Sequence, residues 1–178
     1  MIIREARIED AAGIAKVHVD TWRTTYAGIL PDEHLANLSY ERREKLWIDY
    51  ILSDAESRIF NYVAENDAGQ IVGFASGGPE RKNDPDYKSE LYAIYILKEY
   101  QGQGIGHRLT QTLVKRLLQS GMNTMLLWVV SDNPARRFYE ALGGQQIKTE
   151  RAELGGVMIN EVAYGWTDIN TILQDRYL

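Results

Sequence analysis

The segment Tyr100-Gln101-Gly102-Gln103-Gly104-Ile105-Gly106 carries the clearest chemistry in the chain. Glycines on alternate positions let the backbone approach a ligand closely and aim several N–H groups at one point. Behind them, Gly104 to Ser120 places Ile105, Leu109, Leu113, Val114, Leu117 and Leu118 on one stripe of a helix. A helix starting there adds unpaired N–H groups and a partial positive charge. Such a turn binds phosphate or pyrophosphate. Two familiar phosphate motifs fail on spacing. A dinucleotide fingerprint counted from Gly102 needs glycine where His107 stands, and counted from Gly104 needs it where Leu109 stands. A P-loop needs Gly-Lys-Ser/Thr, which is absent from the chain.

Composition removes other chemistries. The chain has 178 residues and a net charge of −5, with 44% hydrophobic and 25% charged residues. A chain of this size and make-up buries a core without disulfide or metal staples. Its acidity argues against a nucleic-acid partner held by a basic surface. Cysteine is absent, which removes thiol nucleophiles, redox pairs, thiolate zinc sites and disulfides together. His18, His34 and His107 are scattered, so a His-rich metal site is not expected and only carboxylate sites stay open. No apolar run reaches the roughly 18 residues that span a bilayer. The start Met1-Ile2-Ile3-Arg4-Glu5 lacks the basic-then-apolar order of a signal peptide. The expectation is a cytoplasmic protein without a membrane partner. Prolines and glycines do not cluster into a linker, so no domain boundary is drawn.

The elements that must position the turn follow from periodicity. Ile2 to Ala6 reads as a strand, and Asp10 to Tyr26 as a helix with Ile14, Val17 and Thr21 or Trp22 at helical spacing. Gly28 and Pro31 stop it. A second helical region runs from about Pro31 to Leu52, where Leu35, Leu38, Leu46, Trp47, Ile48 and Ile51 are available for burial. Ser39, Arg42 and Arg43 mark a break inside it. From Arg58 the period changes, and Ile59 to Ala64 and Ile71 to Ala75 read as a β-hairpin around Asp67-Ala68-Gly69. Pro79 to Lys88 is a polar loop. Glu90 to Leu97 is apolar at both parities, the mark of a central strand covered on both faces. Met125 to Val130 is another buried strand. Asn133-Pro134 opens a helix in cap-then-proline order, with Ala135, Phe138, Tyr139 and Leu142 on its stripe and Gly143-Gly144 at its end. Two late strands, about Gln145–Glu153 and Val157–Trp166, join around Gly155-Gly156, and the tail from Asp168 adds a last helical turn. The order β-α-α-β-β-β-α-β-α-β-β predicts a mixed, partly antiparallel α/β sheet.

At this point the chain resembles a known family. Gln101-x-x-Gly104-x-Gly106 is similar to the (Arg/Gln)-x-x-Gly-x-(Gly/Ala) signature of the GCN5-related N-acetyltransferases, the GNAT superfamily. Leu91-Tyr92-Ala93-Ile94-Tyr95-Ile96 resembles the strand that carries it. The run from Val130 through Asn133, Ala135 and Tyr139 to Gly143 resembles the family's second motif. The resemblance covers nearly the whole chain and implies one N-acetyltransferase domain over residues 1–178. The implied fold is a GNAT-type mixed, partly antiparallel sheet of about seven strands flanked by about four helices. Two positions depart from the pattern. Gly144 stands where phenylalanine is frequent, a change expected to alter packing, and Lys98 stands where many members have proline.

What the resemblance implies about chemistry is acetyl transfer from acetyl-CoA to an amine, with no metal. Backbone groups of Gln101, Gly102, Gln103, Gly104, Ile105 and Gly106 would hold the pyrophosphate. Ile94, Tyr95 and Ile96 would line the pantetheine, the backbone of Ile94 and Ile96 pairing with it like an added strand. Asn133 would bond the coenzyme or cap its helix, and Arg136 would reach the 3′-phosphate or stay solvated. Tyr139 is the candidate general acid for the departing thiolate; a phenol near pKa ~10 is protonated at neutral pH and close in acidity to a thiol. Set against this, a tyrosine on an apolar stripe is ordinarily core. Glu90 is the candidate general base. It is the only carboxylate on its strand and shares alternation with Tyr92, Ile94 and Ile96.

The acceptor is less constrained. Trp22, Tyr26 and Tyr92 are candidate substrate residues, with Trp47 and Trp128 as further aromatics. The segment Trp22-Arg23-Thr24-Thr25-Tyr26-x-Gly28-Ile29-Leu30-Pro31 resembles bacterial members grouped with spermine/spermidine acetyltransferases. That resemblance and the acidity point to a small cationic amine such as a polyamine. Aminoglycoside-like compounds, protein or peptide amines, and a non-catalytic acyl-CoA sensor remain open. Homodimers are common in the family and compatible with this chain.

Overall fold

The computed structural model describes residues 1–52 and 57–174. Its strands are β1 (Ile2–Glu5), β2 (Phe60–Glu65), β3 (Ile71–Pro79), β4 (Ser89–Ile96), β5 (Met125–Val130), β6 (Gln145–Leu154) and β7 (Val157–Trp166). Its α-helices are α1 (Ala11–Thr25), α2 (Asp32–Ala36), α3 (Tyr40–Leu52), α4 (Ile105–Gln119) and α5 (Arg136–Ala141). The strands form one seven-stranded sheet in the order β1-β2-β3-β4-β5-β7-β6. Every neighbouring pair is antiparallel except β4–β5. The family-type mixed sheet expected from the sequence is therefore the observed one. The second helical region does break, at Asn37-Leu38-Ser39, and α2 is a single short turn beside the longer α3.

Two apolar layers hold the sheet. On one face, Leu109, Leu113 and Leu117 of α4 are fully buried with Met125 and Leu127 of β5 and with Ile169 and Ile172 of the closing 3-10 turn. Each such side chain contributes about 1.5–3 kcal/mol by leaving water. On the other face, Ile14, Ala15 and Val17 of α1 and Trp47 of α3 cover Val63 and Phe74. Leu46 is a correction: counted among residues available for burial, it is 49% exposed. It lies one residue before the buried Trp47, off the stripe that α3 turns inward.

Two local features shape the centre. Opposite Gly77 and Ser76 of β3 stand Leu91 and Ala93 of β4, so Tyr92 is an extra residue and β4 carries a bulge. A bulge shifts the alternation of side chains and bends its strand. The shared parity expected for Glu90, Tyr92, Ile94 and Ile96 is therefore broken. Ile94 and Ile96 pack with the α4 layer, whereas Ala93 and Tyr95 pack with the α1 layer. Secondly, β4 and β5 are paired only at Ser89–Met125 and Glu90–Leu126. Beyond these two pairs the strands part, and the sheet opens.

Gly144 has a packing reason. A Cβ there would sit 2.6 Å from the Trp166 ring and 2.9 Å from the Tyr139 carbonyl. The Trp166 indole fills that space and donates its N–H to the Leu142 carbonyl at 3.0 Å. Lys98 starts a 3-10 turn, Lys98–Tyr100, that leads into the glycine segment.

Candidate active site

Two cavities meet where β4 and β5 part. The larger, about 780 Å³, is bounded by the glycine turn, the start of α4 and α5. The smaller, about 470 Å³, is bounded by α1, β4, β5, β7 and the loop after β3. Ile94, Tyr95, Asn133 and Tyr139 line both. Their sizes are those of small-molecule sites.

The glycine turn forms one wall of the larger cavity. Gly102 and Gly104 hold φ of +72° and +75°, a conformation that side chains disfavour. A Cβ at either would meet nothing within 4 Å, so this backbone faces open space. No side chain caps α4, and its first helical bond runs from Arg108 N–H to the Gly104 carbonyl at 3.1 Å. The amides of Ile105, Gly106 and His107 are left without intrahelical acceptors, which suits an anionic group. The Gln101 amide bonds the Ile96 carbonyl at 2.9 Å, and the Gln103 amide bonds the Glu99 carbonyl at 3.1 Å. Because Leu97 N–H bonds the Val72 carbonyl of β3, strand alternation turns the amides of Ile94 and Ile96 toward the gap. A pyrophosphate-bearing, extended ligand fits these two backbone surfaces.

Asn133 sits where the cavities join. Its Oδ1 accepts the Ala135 N–H at 2.8 Å, closing a turn ahead of α5 where a helix cap was expected, and its Nδ2 reaches the Tyr26 hydroxyl at 3.5 Å. Regular helix begins only at Arg136. Arg136 itself is placed elsewhere. Its guanidinium bonds the Tyr164 hydroxyl at 2.9 Å, the Ser131 carbonyl at 3.0 Å and Gln146 at 3.2 Å, and it does not line the larger cavity. Basic side chains that do line it are His107 and Arg108.

Tyr139 is 7% exposed, and its hydroxyl has no hydrogen-bond partner among the described residues. Burial, with the nearby Tyr95 phenol adding to it, pushes its pKa well above the usual phenol value. It stays protonated at any ordinary pH.

Glu90 is 2% exposed and both of its carboxylate oxygens are bonded to Arg81, at 2.5 and 3.0 Å. Arg81 also lies 4.4 Å over the Tyr92 ring, and the Tyr92 hydroxyl donates to the Pro79 carbonyl at 2.5 Å. The loop is tied further by ion pairs from Lys82 to Glu150 at 2.8 Å and from Lys148 to Asp84. Trp22, Tyr26, Tyr92 and Trp128 line the smaller cavity. Trp47 does not; it is core, donating its indole N–H to His18 Nδ1 at 3.3 Å.

This arrangement can be set beside known proteins. Residues 17–144 match the sequence model of the acetyltransferase (GNAT) family. The chain belongs to that family. An uncharacterized N-acetyltransferase of Bacillus subtilis, YuaI, is 41% identical over 170 residues, spanning 96% of this chain and 95% of its own. The L-methionine sulfoximine/L-methionine sulfone acetyltransferase of Pseudomonas aeruginosa is 26% identical, spanning 86% of this chain and 84% of its own. The crystal structure of PaiA N-acetyltransferase from Thermoplasma acidophilum, in complex with coenzyme A, superposes with a TM-score of 0.73 at 25% identity. That superposition covers 90% of this chain and 96% of the other. As a GNAT member the protein is an acetyl-CoA-dependent acyltransferase. Among the described residues no helix is long and apolar enough to cross a membrane, and no cluster of acidic and histidine side chains is arranged to hold a metal ion.

Several site residues escape the sequence reading. His107 and Arg108 immediately follow the glycine turn, a signal that was available. Arg81, Lys82 and Glu161 reach the smaller cavity only through the loop and through pairing of β7 with β5, which no periodicity announces.

Proposed function

We propose that the chain works as a single domain that transfers the acetyl group of acetyl-CoA to a small primary amine, by direct attack in a ternary complex. The observation that carries this is the junction itself, with Tyr139, Asn133, Tyr95 and Ile94 lining both cavities. In this reading the coenzyme lies along the Ile94 and Ile96 backbone, its pyrophosphate against Gln101 to Gly106. The acceptor enters by the smaller cavity. Amides at the gap polarise the thioester carbonyl. Tyr139 donates to the sulfur as it leaves, and a cavity carboxylate, Glu90 or Glu161, takes the amine's proton. Arg108, with His107 beside it, replaces Arg136 as the basic residue lining the coenzyme cavity. No covalent enzyme intermediate is required, in keeping with a chain that has no cysteine.

The acceptor in this proposal is a small cationic amine, the class to which polyamines belong. Support comes from the net charge of −5 and from the two carboxylates beside Trp22, Tyr26 and Tyr92. A second reading is an amino-acid-type amine. Arg81 and Lys82 in the same cavity favour it, as does similarity to an enzyme that acetylates L-methionine sulfoximine and sulfone.

The test is release of free thiol from acetyl-CoA across spermidine, spermine, L-methionine sulfone and a glycyl peptide. Release with a polyamine supports the first acceptor class, and release with the sulfone alone supports the second. Release with the peptide alone makes the chain a peptide-amine acetyltransferase. Coenzyme binding without thiol release on any amine makes it a sensor and overturns the proposal.

A further inference from the structure

We propose that Glu161 of β7 receives the proton of the incoming ammonium, while Glu90 serves to fix Arg81. This rests on the acetyl-transfer reading and assigns a residue within it. The register of β5 and β7 sets Glu161 opposite Val130, at the end of β5 that has separated from β4. Its side chain lines the acceptor cavity together with Trp128 and Tyr139. Among the described residues its carboxylate has neither a hydrogen bond nor an ion pair, whereas both oxygens of Glu90 are taken by Arg81. Of the two carboxylates in the cavity, Glu90 accepts three hydrogen bonds from Arg81, and Glu161 is the one whose oxygens meet no donor among the described residues.

The charged surroundings suit a proton acceptor. Glu150 on β6 stands directly across the strands but is itself paired with Lys82. Lys82 and Arg81 favour the ionised carboxyl, Glu150 and Glu90 oppose it, and the Tyr26 phenol faces it from α1's end. Burial outweighs these and holds the Glu161 carboxyl above the usual carboxylate range. That shift makes it a better base than an exposed glutamate.

Glu161 removes one proton from the ammonium and passes it to solvent. The freed amine nitrogen bonds to the acetyl carbon, and the carbon–sulfur bond breaks. The nitrogen's second proton balances the one supplied to the departing sulfur.

The test compares wild type, Glu161→Gln, Glu161→Asp and Glu90→Gln from pH 5 to 9. Each is assayed with acetyl-CoA and whichever of spermidine, L-methionine sulfone or a glycyl peptide the wild type acetylates fastest. Thermal melting checks that each variant is folded. Glu161→Gln is expected to lower kcat about 10²–10⁴-fold with KM little changed and to abolish the acid limb of the profile, with partial recovery in Glu161→Asp. Unchanged kcat overturns the assignment, as does a raised KM with the acid limb intact, the mark of a residue that only attracts cations. Loss of the acid limb in folded Glu90→Gln alone also overturns it. If the wild type releases no thiol with any of these amines, the acetyl-transfer reading fails and the assignment fails with it.

Discussion

Arg81 grips both carboxylate oxygens of Glu90, Nη2 to Oε1 at 2.5 Å and Nε to Oε2 at 3.0 Å, with its backbone N–H 3.3 Å from Oε2. A half-exposed arginine thereby closes over a carboxylate that has left water. The pair fastens the loop after β3 to the first paired residues of β4, beside the point where the sheet opens.

Removing the arginine should strand that carboxylate. Arg81→Met is expected to cost about 1–3 kcal/mol, less than a fully buried pair because Arg81 is partly solvated. The double variant Arg81→Met with Glu90→Gln should recover much of the loss. Urea denaturation of the two variants checks this; equal losses would mean that the pair contributes little.

Tyr139→Phe keeps the ring in its packing against Phe138 and Tyr164 while deleting the hydroxyl. Coenzyme affinity and melting temperature should change little. Turnover should fall about 10²–10⁴-fold. Steady-state kinetics alongside calorimetry with acetyl-CoA separates the two effects, and undiminished turnover would return Tyr139 to a purely packing role.

Gly104→Ala forces a side chain into the left-handed conformation that opens α4. Strain of roughly 1–2 kcal/mol is expected, together with a methyl group in the space facing the cleft. Coenzyme A affinity measured by calorimetry should drop at least several-fold, while Gly121→Ala, also at positive φ but remote from the cleft, should lower stability without touching affinity.

His18 sets an acid limit on stability. Burial, aided by the Arg43 charge, lowers its pKa from 6.5 to about 3. Its Nδ1 accepts the Trp47 N–H, so the proton of the neutral ring sits on Nε2, which has no partner. Below about pH 6.5 the unfolded chain binds a proton that the folded one refuses until about pH 3. Stability therefore falls with falling pH in that window, by up to roughly 1.4 kcal/mol per unit from this group. His18→Leu should flatten the slope between pH 6 and 4 by about one proton in denaturation experiments. An unchanged slope would contradict a neutral buried ring.

What could be read in advance was whatever depends on local pattern. The α4 stripe, the strands β5 and β7, and the Asn133-Pro134 turn ahead of α5 follow from spacing and turn chemistry alone. Pairing-dependent features were hidden. The Tyr92 bulge inverts the face of Ile94 and Ile96 relative to Glu90, because alternation presumes an unbroken ladder. Arg136 lies between the lining residues Ala135 and Phe138, yet its three nitrogen donors find Tyr164, Ser131 and Gln146, partners supplied partly by distant strands. Glu161 becomes part of the site only because β7 inserts between β5 and β6.

The central claim is that coenzyme and amine meet at Tyr139 and exchange an acetyl group there. Free thiol released from acetyl-CoA, followed with each amine of the panel in wild type and Tyr139→Phe, tests it most directly. The account predicts amine-dependent release by the wild type, reduced about 10²-fold or more in Tyr139→Phe at unchanged coenzyme affinity. Coenzyme binding with no thiol release on any amine, or equal release by both proteins, would contradict it.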